Sequence, residues 1–185
     1  FYKELADMAA RNFQIGDLVG EYRDLGSSVM TIDSSGDIIL LASKRVLQFV
    51  NLSSPKPQTH RIPRKNVKWE VNAAQWNPHK SNATVFVVTR NNQADICSFN
   101  EGKLDVKSTL QSHTRSITDL DWSPSASHLL LTCSSDSNAL LWDVRTCFAN
   151  ASKAVQSFES MQSCSASQVK WNKVSVVICR VWSHS

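Results

Sequence analysis

Tryptophan residues recur along the chain at nearly equal intervals, and this spacing restricts the possible folds more than any other feature. Trp76, Trp122 and Trp171 are separated by 46 and 49 residues, and a weaker copy of the surrounding pattern has Ile32 in the same place, 44 residues before Trp76. In each copy apolar and polar residues alternate before this position, and residues typical of turns follow it. An alternation with a period of two predicts a β-strand, so the sequence predicts an all-β chain built from repeated units.

The third repeat is complete enough to be divided into individual strands. We expect strand a, nearest the axis of the fold, at Ile117–Trp122, strand b at 128–134, strand c at 139–142 and strand d within 153–158. Turns rich in Ser, Pro, Asp and Asn separate these segments. Four strands in a unit of about 45 residues is the pattern of one blade of a WD40-type β-propeller.

The order of four residues in this repeat, His113, Ser134, Asp136 and Trp142, resembles the WD40 family. The resemblance implies that the four side chains form a buried, hydrogen-bonded tetrad. The physical chemistry agrees, because a carboxylate buried between strands must be paired, and a histidine ring can connect it to a serine hydroxyl and an indole N–H. A nucleophilic triad is the alternative for the His, Ser and Asp, but it needs an exposed serine beside an oxyanion hole. We expect Ser134 inside a buried strand and interpret the set as structural.

The other repeats are less complete, so we predict an incomplete WD40-type β-propeller of about three blades and part of a fourth. Strand c of the first two repeats lacks the Trp, and neither repeat has a clear His, Ser and Asp set, so we expect these blades to depend on apolar packing alone. Four partial repeats do not close a ring, and an open propeller exposes a strand edge. We therefore expect the chain to be unstable alone or the natural protein to be longer.

The repeats define the expected domain organisation. We assign residues 21–173 to the partial propeller and residues 1–20 to an N-terminal leader that lies upstream of the natural start. Residues 174–185 are expected to be a divergent tail. Only 11 residues separate Trp171 from Trp182, against 20 between Trp122 and Trp142, so strand b is not expected to fit there.

Several longer strings resemble one particular WD40 family. Gln75-Trp76-Asn77-Pro78-His79 and the segment 166–173, Ala-Ser-Gln-Val-Lys-Trp-Asn-Lys, are similar to the N-terminal propeller of the WD-repeat-fifty-nine family. Members of that family are subunits of the GATOR-two assembly, called the SEA complex in fungi. The resemblance implies a scaffold that contacts other subunits of such a complex in the cytoplasm, at the surface of the lysosome or vacuole. It also implies a role in amino-acid sensing, in which the complex activates target-of-rapamycin complex one by opposing its negative regulator.

Composition excludes several other classes of protein. The net charge is only +4, and no apolar run approaches the roughly 18 residues of a membrane span. Five cysteines occur without a Cys-x-x-Cys pair, which indicates neither a zinc site nor a disulfide framework. There is no metal-ligand set, phosphate loop or isolated carboxylate pair, so we expect no enzyme activity, no cofactor, no metal and no small-molecule substrate.

A basic segment between the first two repeats is the candidate partner-contact loop. Arg61, Arg64, Lys65 and Lys68 follow Pro55 and Pro57 in the sequence. The segment could be an ordinary solvated face, a contact for a protein partner or a site for nucleic-acid phosphates. The last of these would make the chain an interaction module of a chromatin- or RNA-associated assembly. Because no aromatic residue is interleaved before Trp69, we do not expect nucleic acid to be the partner.

Overall fold

A computed structural model of the chain describes residues 28–53, 58–64, 68, 70–147, 154–159, 165–171 and 177–181. Within these ranges the strands form three four-stranded antiparallel sheets and one two-stranded sheet, and each sheet follows the order of the chain. The all-β fold and the partial propeller predicted from the repeats are therefore confirmed.

The strands of each sheet follow one another with short connections. The first sheet contains β1 (Ser28–Ile32), β2 (Ile38–Ser43), β3 (Val46–Asn51) and β4 (Gln58–Pro63). The second contains β5 (Ala74–Trp76), β6 (Val85–Arg90), β7 (Gln93–Asn100) and β8 (Lys103–Gln111). The third contains β9 (Ile117–Trp122), β10 (Leu129–Ser134), β11 (Asn138–Asp143) and β12 (Gln156–Glu159), and the last pairs β13 (Ala166–Trp171) with β14 (Val177–Val181). Helical structure in the described residues is limited to a 3₁₀ turn at Lys80–Asn82 and one α-helical turn at Val144–Cys147.

The strands predicted for the third repeat agree closely with this structure. Strand a has the predicted bounds, and strands b, c and d differ from the prediction by one to three residues at their ends. The tight turns between strands contain residues with a positive φ angle, among them the glycines Gly36 and Gly102. Between β7 and β8, Glu101 and Gly102 both have positive φ, 48° and 80°, which is the conformation of a two-residue hairpin turn.

The apolar core lies between the sheets rather than within any one of them. Leu40, Leu47 and Phe49 of the first sheet pack against Trp76 and Phe86 of the second. A further cluster joins the second sheet to the third. Its members include Val87, Ile96, Leu110, Ile117, Leu120, Trp122, Leu130, Leu140 and Trp142. A third cluster joins β10 and β11 to β13. Because the second and third sheets each bury both faces against a neighbouring sheet, the sheets stack in the manner of blades.

The repeat tryptophans pack at these junctions. Trp76 and Trp122 are each 2% exposed, and Trp171 is half-buried against the third cluster. Trp69 lies outside the described residues. In the first two sheets phenylalanine takes the place of the missing strand c tryptophan, and the rings of Phe49 and Phe99 stack with centroids 3.7 Å apart.

Two expectations need correction. The incomplete repeats do not depend on apolar packing alone: Asp33 Oδ1 accepts the N–H groups of Asp37 and Ile38 in the first sheet, and Thr109 donates to Asp95 in the second. The segment after residue 173 does contain a second strand, because β14 pairs with β13. A short connection suffices for an antiparallel hairpin, so 11 residues between two tryptophans did not exclude strand b. The predicted leader, residues 1–20, lies outside the described residues.

Candidate functional site

The third sheet contains a buried polar network at the end where β10 turns into β11. His113 lies in the link that precedes β9, and its Nδ1 is 2.9 Å from Asp136 Oδ2 in the β10–β11 turn. Its Nε2 is 2.8 Å from Thr132 Oγ1, and that hydroxyl accepts the indole N–H of Trp142 at 2.8 Å. The His113 and Asp136 side chains are only 1% and 5% exposed. The predicted pairing of His113, Asp136 and Trp142 in one network is thus present.

Thr132, not Ser134, supplies the hydroxyl that joins the ring to the indole, which corrects the predicted tetrad. Trp142 pairs with Leu130 across β10 and β11, so its indole reaches the next residue on the same face, Thr132. Ser134 is one step further along β10, beyond a register shift at Cys133 and Ser134. Both hydroxyls lie on the same face two residues apart, so spacing alone did not separate them.

Ser134 has a different task, which is to hold the turn. Its Oγ donates to the carbonyl of Arg115 at 2.9 Å and accepts the N–H of Asp136 at 3.1 Å. Ser134 is fully buried, and its hydroxyl proton is directed to a backbone carbonyl rather than to His113. The His, Ser and Asp residues therefore do not form a nucleophilic triad.

The protonation of the network follows from its donors and acceptors. Burial lowers the pKa of His113, and nearby Asp136 opposes this shift only in part. A neutral ring with its proton on Nδ1 fits every contact, because Nδ1–H donates to Asp136 and Nε2 accepts from Thr132, whose oxygen accepts from Trp142. Burial alone would raise the pKa of Asp136, but donation from the Thr114 N–H, from His113 and from the Asn138 N–H lowers it overall. The network is thus a carboxylate and a neutral imidazole.

Acidification is expected to destabilise the fold in two steps. The pKa of His113 is lowered from 6.5, so below about pH 6.5 the unfolded chain binds a proton that the folded chain does not. The folded state therefore loses stability as the pH is lowered below this value. The pKa of Asp136 is lowered from 3.8, so a second loss begins near that pH. Urea unfolding at pH 7.5 and pH 5.5 measures the first step. The His113→Gln variant should be less stable at both pH values, with a smaller difference between them; an equally large difference would contradict the assignment of the first step to His113.

Replacing Thr132 with valine should uncouple the network without changing its volume. The Trp142 indole N–H and His113 Nε2 would both lose their partner, and we expect a loss of about 3 kcal/mol in unfolding free energy. The Trp142 indole N–H resonance should shift strongly in a ¹H–¹⁵N spectrum, since its acceptor is removed. Ser134→Ala is the matched control, with a smaller loss of about 1 kcal/mol and little change in that resonance. A strong shift in Ser134→Ala and none in Thr132→Val would restore Ser134 to the tetrad.

A second set of polar contacts joins each sheet to the next, and it was not predicted. In each of the first three sheets, the acceptor is the side chain of the residue just before the repeat tryptophan, or just before Ile32 in the first sheet. It accepts a hydrogen bond from the backbone N–H of the repeat tryptophan in the following sheet. The pairs are Trp76 to Thr31 Oγ1 at 3.2 Å, Trp122 to Gln75 Oε1 at 3.1 Å and Trp171 to Asp121 Oδ2 at 2.8 Å. The only signal in the sequence is a polar side chain at the same place in three repeats. These contacts fix the sheets relative to one another near strand a.

The predicted contact loop is only partly a loop. Arg61 lies on β4, paired with Gln48 of β3, so it belongs to the outer strand of the first sheet. Arg64 follows the strand and is half-buried, and its guanidinium donates to the carbonyl of Ser43 at 3.1 Å. Lys68 is exposed, whereas Lys65 lies outside the described residues. The segment is therefore divided between a strand and a link rather than forming one basic loop.

The described residues offer few groups for other chemistry. They contain no cluster of three or more potential metal ligands. Burial, with a smaller contribution from Asp95, raises the pKa of the Cys97 thiol to about 12, which keeps it protonated. Across the described part of the chain, no helix is both long enough and apolar enough to span a membrane.

Comparison with known proteins places this geometry in context. Residues 104–143 match the family described as WD domain, G-beta repeat, and this segment contains the whole His113 to Trp142 network. The chain is 39% identical over 166 residues to GATOR2 complex protein WDR59 of Gallus gallus and 37% identical over 166 residues to the Homo sapiens protein of the same name. Each alignment covers 90% of this chain and 16% of the relative. Maintenance of telomere capping protein 5 of Saccharomyces cerevisiae is 33% identical over 153 residues, which is 80% of this chain and 12% of that protein. The chain thus spans between about one eighth and one sixth of the length of these curated relatives.

Proposed function

Because the chain belongs to the WD40-repeat family and its homologues include GATOR2 complex protein WDR59, we propose that it acts as a non-catalytic scaffold in a GATOR2-type complex. The observation that carries the proposal is the identity of 37–39% across 90% of the chain. That alignment extends well beyond the 40 residues of the matched WD40 repeat. The packing of a generic WD40 repeat requires sequence identity at far fewer positions.

The structure suits a role in which binding is the whole mechanism. Core clusters join adjacent sheets, and side chains of strand a bind the backbone of the next sheet. Adjacent sheets are therefore held in a fixed arrangement, while the turns at their ends remain on the surface. Such turns can contact several partner subunits at once, and no bond is made or broken.

The proposed complex acts in nutrient signalling. In this proposal it activates target-of-rapamycin complex one in response to amino acids, by opposing a negative regulator of that kinase complex. The chain would be located in the cytoplasm at the surface of the lysosome or vacuole, held there through other subunits rather than by insertion into the membrane. It would need no cofactor and no small-molecule substrate.

Affinity purification tests the scaffold role. A tagged form expressed at its native level should co-purify with the other subunits of a GATOR2-type complex, identified by mass spectrometry. A matched Trp122→Ala form should lose them, because the junction between the second and third sheets would be disrupted. Recovery of nucleic acid in a salt-sensitive manner, without those subunits, would instead support a chromatin- or RNA-associated module.

Depletion of the protein tests the signalling role. Cells that lack it should show weaker phosphorylation of target-of-rapamycin substrates after amino acids are restored, and re-expression should restore the response. An unchanged response in the depleted cells would contradict the signalling part of the proposal and leave the scaffold part standing.

A further inference from the structure

One end of the stacked sheets is formed by two kinds of connection that hydrogen-bond to each other. These are the turns between strands b and c and the links from one sheet to the next. The Arg64 N–H donates to the carbonyl of Arg45 at 2.8 Å, which joins the first link to the β2–β3 turn. Asn92 Nδ2 donates to the carbonyl of His113 at 3.0 Å, which joins the second link to the β6–β7 turn. We refer to this surface, described at residues 43–46, 64, 68, 70–71, 90–93, 112–117 and 134–138, as the turn face.

The turn face carries an excess of positive charge within the described residues. Its cations are Lys44, Arg45, Arg64, Lys68, Arg90 and Arg115. Its two acidic residues are already engaged, since Glu70 pairs with Lys44 at 3.4 Å and Asp136 pairs with His113. Asp95, just beyond the β6–β7 turn, pairs with Arg90 at 3.5 Å. Arg45 and Arg115 are exposed, and neither has an acidic partner among the described residues. At the opposite end of the sheets, Asp37 and Glu101 accompany Lys80 and Lys103.

Two arginines meet at the junction of the first and second sheets. Burial lowers the pKa of Arg64, and Arg90 lowers it further, while Asp95 acts in the opposite direction. Asp95 Oδ1 lies 3.5 Å from Nη2 of Arg90 and accepts the hydroxyl of Thr109, so this carboxylate is already engaged. The Arg90 side chain is 38% exposed and Arg64 is half-buried, so both cations present positive charge that a further carboxylate would neutralise.

We propose that the turn face binds an acidic segment of a partner protein, with the Arg64 and Arg90 junction as its central contact. This inference names the surface through which the scaffold would dock and the chemistry of the partner segment, and so it rests on the proposed function. Carboxylates match the fork geometry of arginine, and exposed cations around the junction would speed the encounter. Nucleic acid fits less well, because the described part of the turn face offers no exposed aromatic ring for base stacking.

Binding of a fluorescein-labelled poly-glutamate peptide, followed by anisotropy at two salt concentrations, tests the proposal. The Arg45→Glu/Arg115→Glu variant reverses two exposed charges whose side chains make no described structural contact. We expect its affinity to fall by roughly tenfold or more, with weaker salt dependence. Lys80→Glu/Lys103→Glu, on the opposite end, is the matched control and should bind within about twofold of the unmodified chain. Arg64→Lys keeps the charge but loses the fork, and it should also weaken binding.

The outcomes separate this proposal from the scaffold role. Equal affinity of the two double variants, or tighter binding of poly-uridylate RNA than of poly-glutamate, would overturn the acidic-segment proposal. Affinity purification of the same variants is read separately. If the unmodified chain captures GATOR2-type subunits and both double variants do so equally, the turn face is not the docking surface, although the proposed function stands. If the unmodified chain captures none, the proposed function fails.

Discussion

Replacing Asp136 with alanine is expected to lower the unfolding free energy by about 3–4 kcal/mol. The carboxylate accepts hydrogen bonds from His113 Nδ1, the Thr114 N–H and the Asn138 N–H, and all three donors would be left unpaired. The β10–β11 turn and the link before β9 would lose their common anchor. Urea unfolding followed by tryptophan fluorescence measures the effect.

Asp105→Ala is the matched control for this prediction. Asp105 is also a carboxylate with a cationic partner, Lys107, but its side chain is 63% exposed. An exposed ion pair contributes at most about 1 kcal/mol, so the control should change stability little. Equal losses in the two variants would show that the network around His113 does not stabilise the third sheet.

Replacing Trp122 with alanine is expected to cost about 3–5 kcal/mol. The side chain is 2% exposed in the cluster between the second and third sheets, and its indole N–H donates to the carbonyl of Gln75 at 3.3 Å. The substitution leaves a large cavity at the junction and removes that bond. We expect hydrogen exchange to accelerate in β5, β9 and β10 more than in β3 and β4.

Val106→Ala is the control for truncation of an apolar side chain. Val106 lies on the outer strand β8 and is 53% exposed, so its loss should change stability by less than about 0.5 kcal/mol. Hydrogen exchange that accelerates uniformly over all sheets in Trp122→Ala would contradict a junction-specific role. The reason is that Trp122 packs in the cluster between the second and third sheets.

The sequence was sufficient for the fold because the repeat carries redundant signals. Alternating polarity, a tryptophan at a fixed place and turn residues after it all agree, so the bounds of β9 could be predicted without error. The pairing of His113 with Asp136 was implied by the resemblance to the WD40 family, and the need of a buried carboxylate for a partner agrees with it.

The sequence was not sufficient where a contact depends on register or on a neighbouring sheet. Thr132 and Ser134 differ only by one step along the same face of β10, and the position of Trp142 opposite Leu130 decides between them. Gln75 and Asp121 act on the sheet that follows, about 50 residues away in sequence. Arg64 was expected in the candidate partner-contact loop, but its contact with Ser43 depends on the way the first link returns to the β2–β3 turn.

Cross-linking mass spectrometry of the protein purified from its own cells tests the central claim most directly. The chain offers lysines at both ends of its sheets, with Lys44 and Lys68 on the turn face and Lys80 and Lys103 at the opposite end. We predict cross-links from Lys44 and Lys68 to other subunits of a GATOR2-type complex. Cross-links to such subunits only from Lys80 and Lys103 would contradict docking through the turn face, and a purified protein without any such subunit would contradict the scaffold role itself.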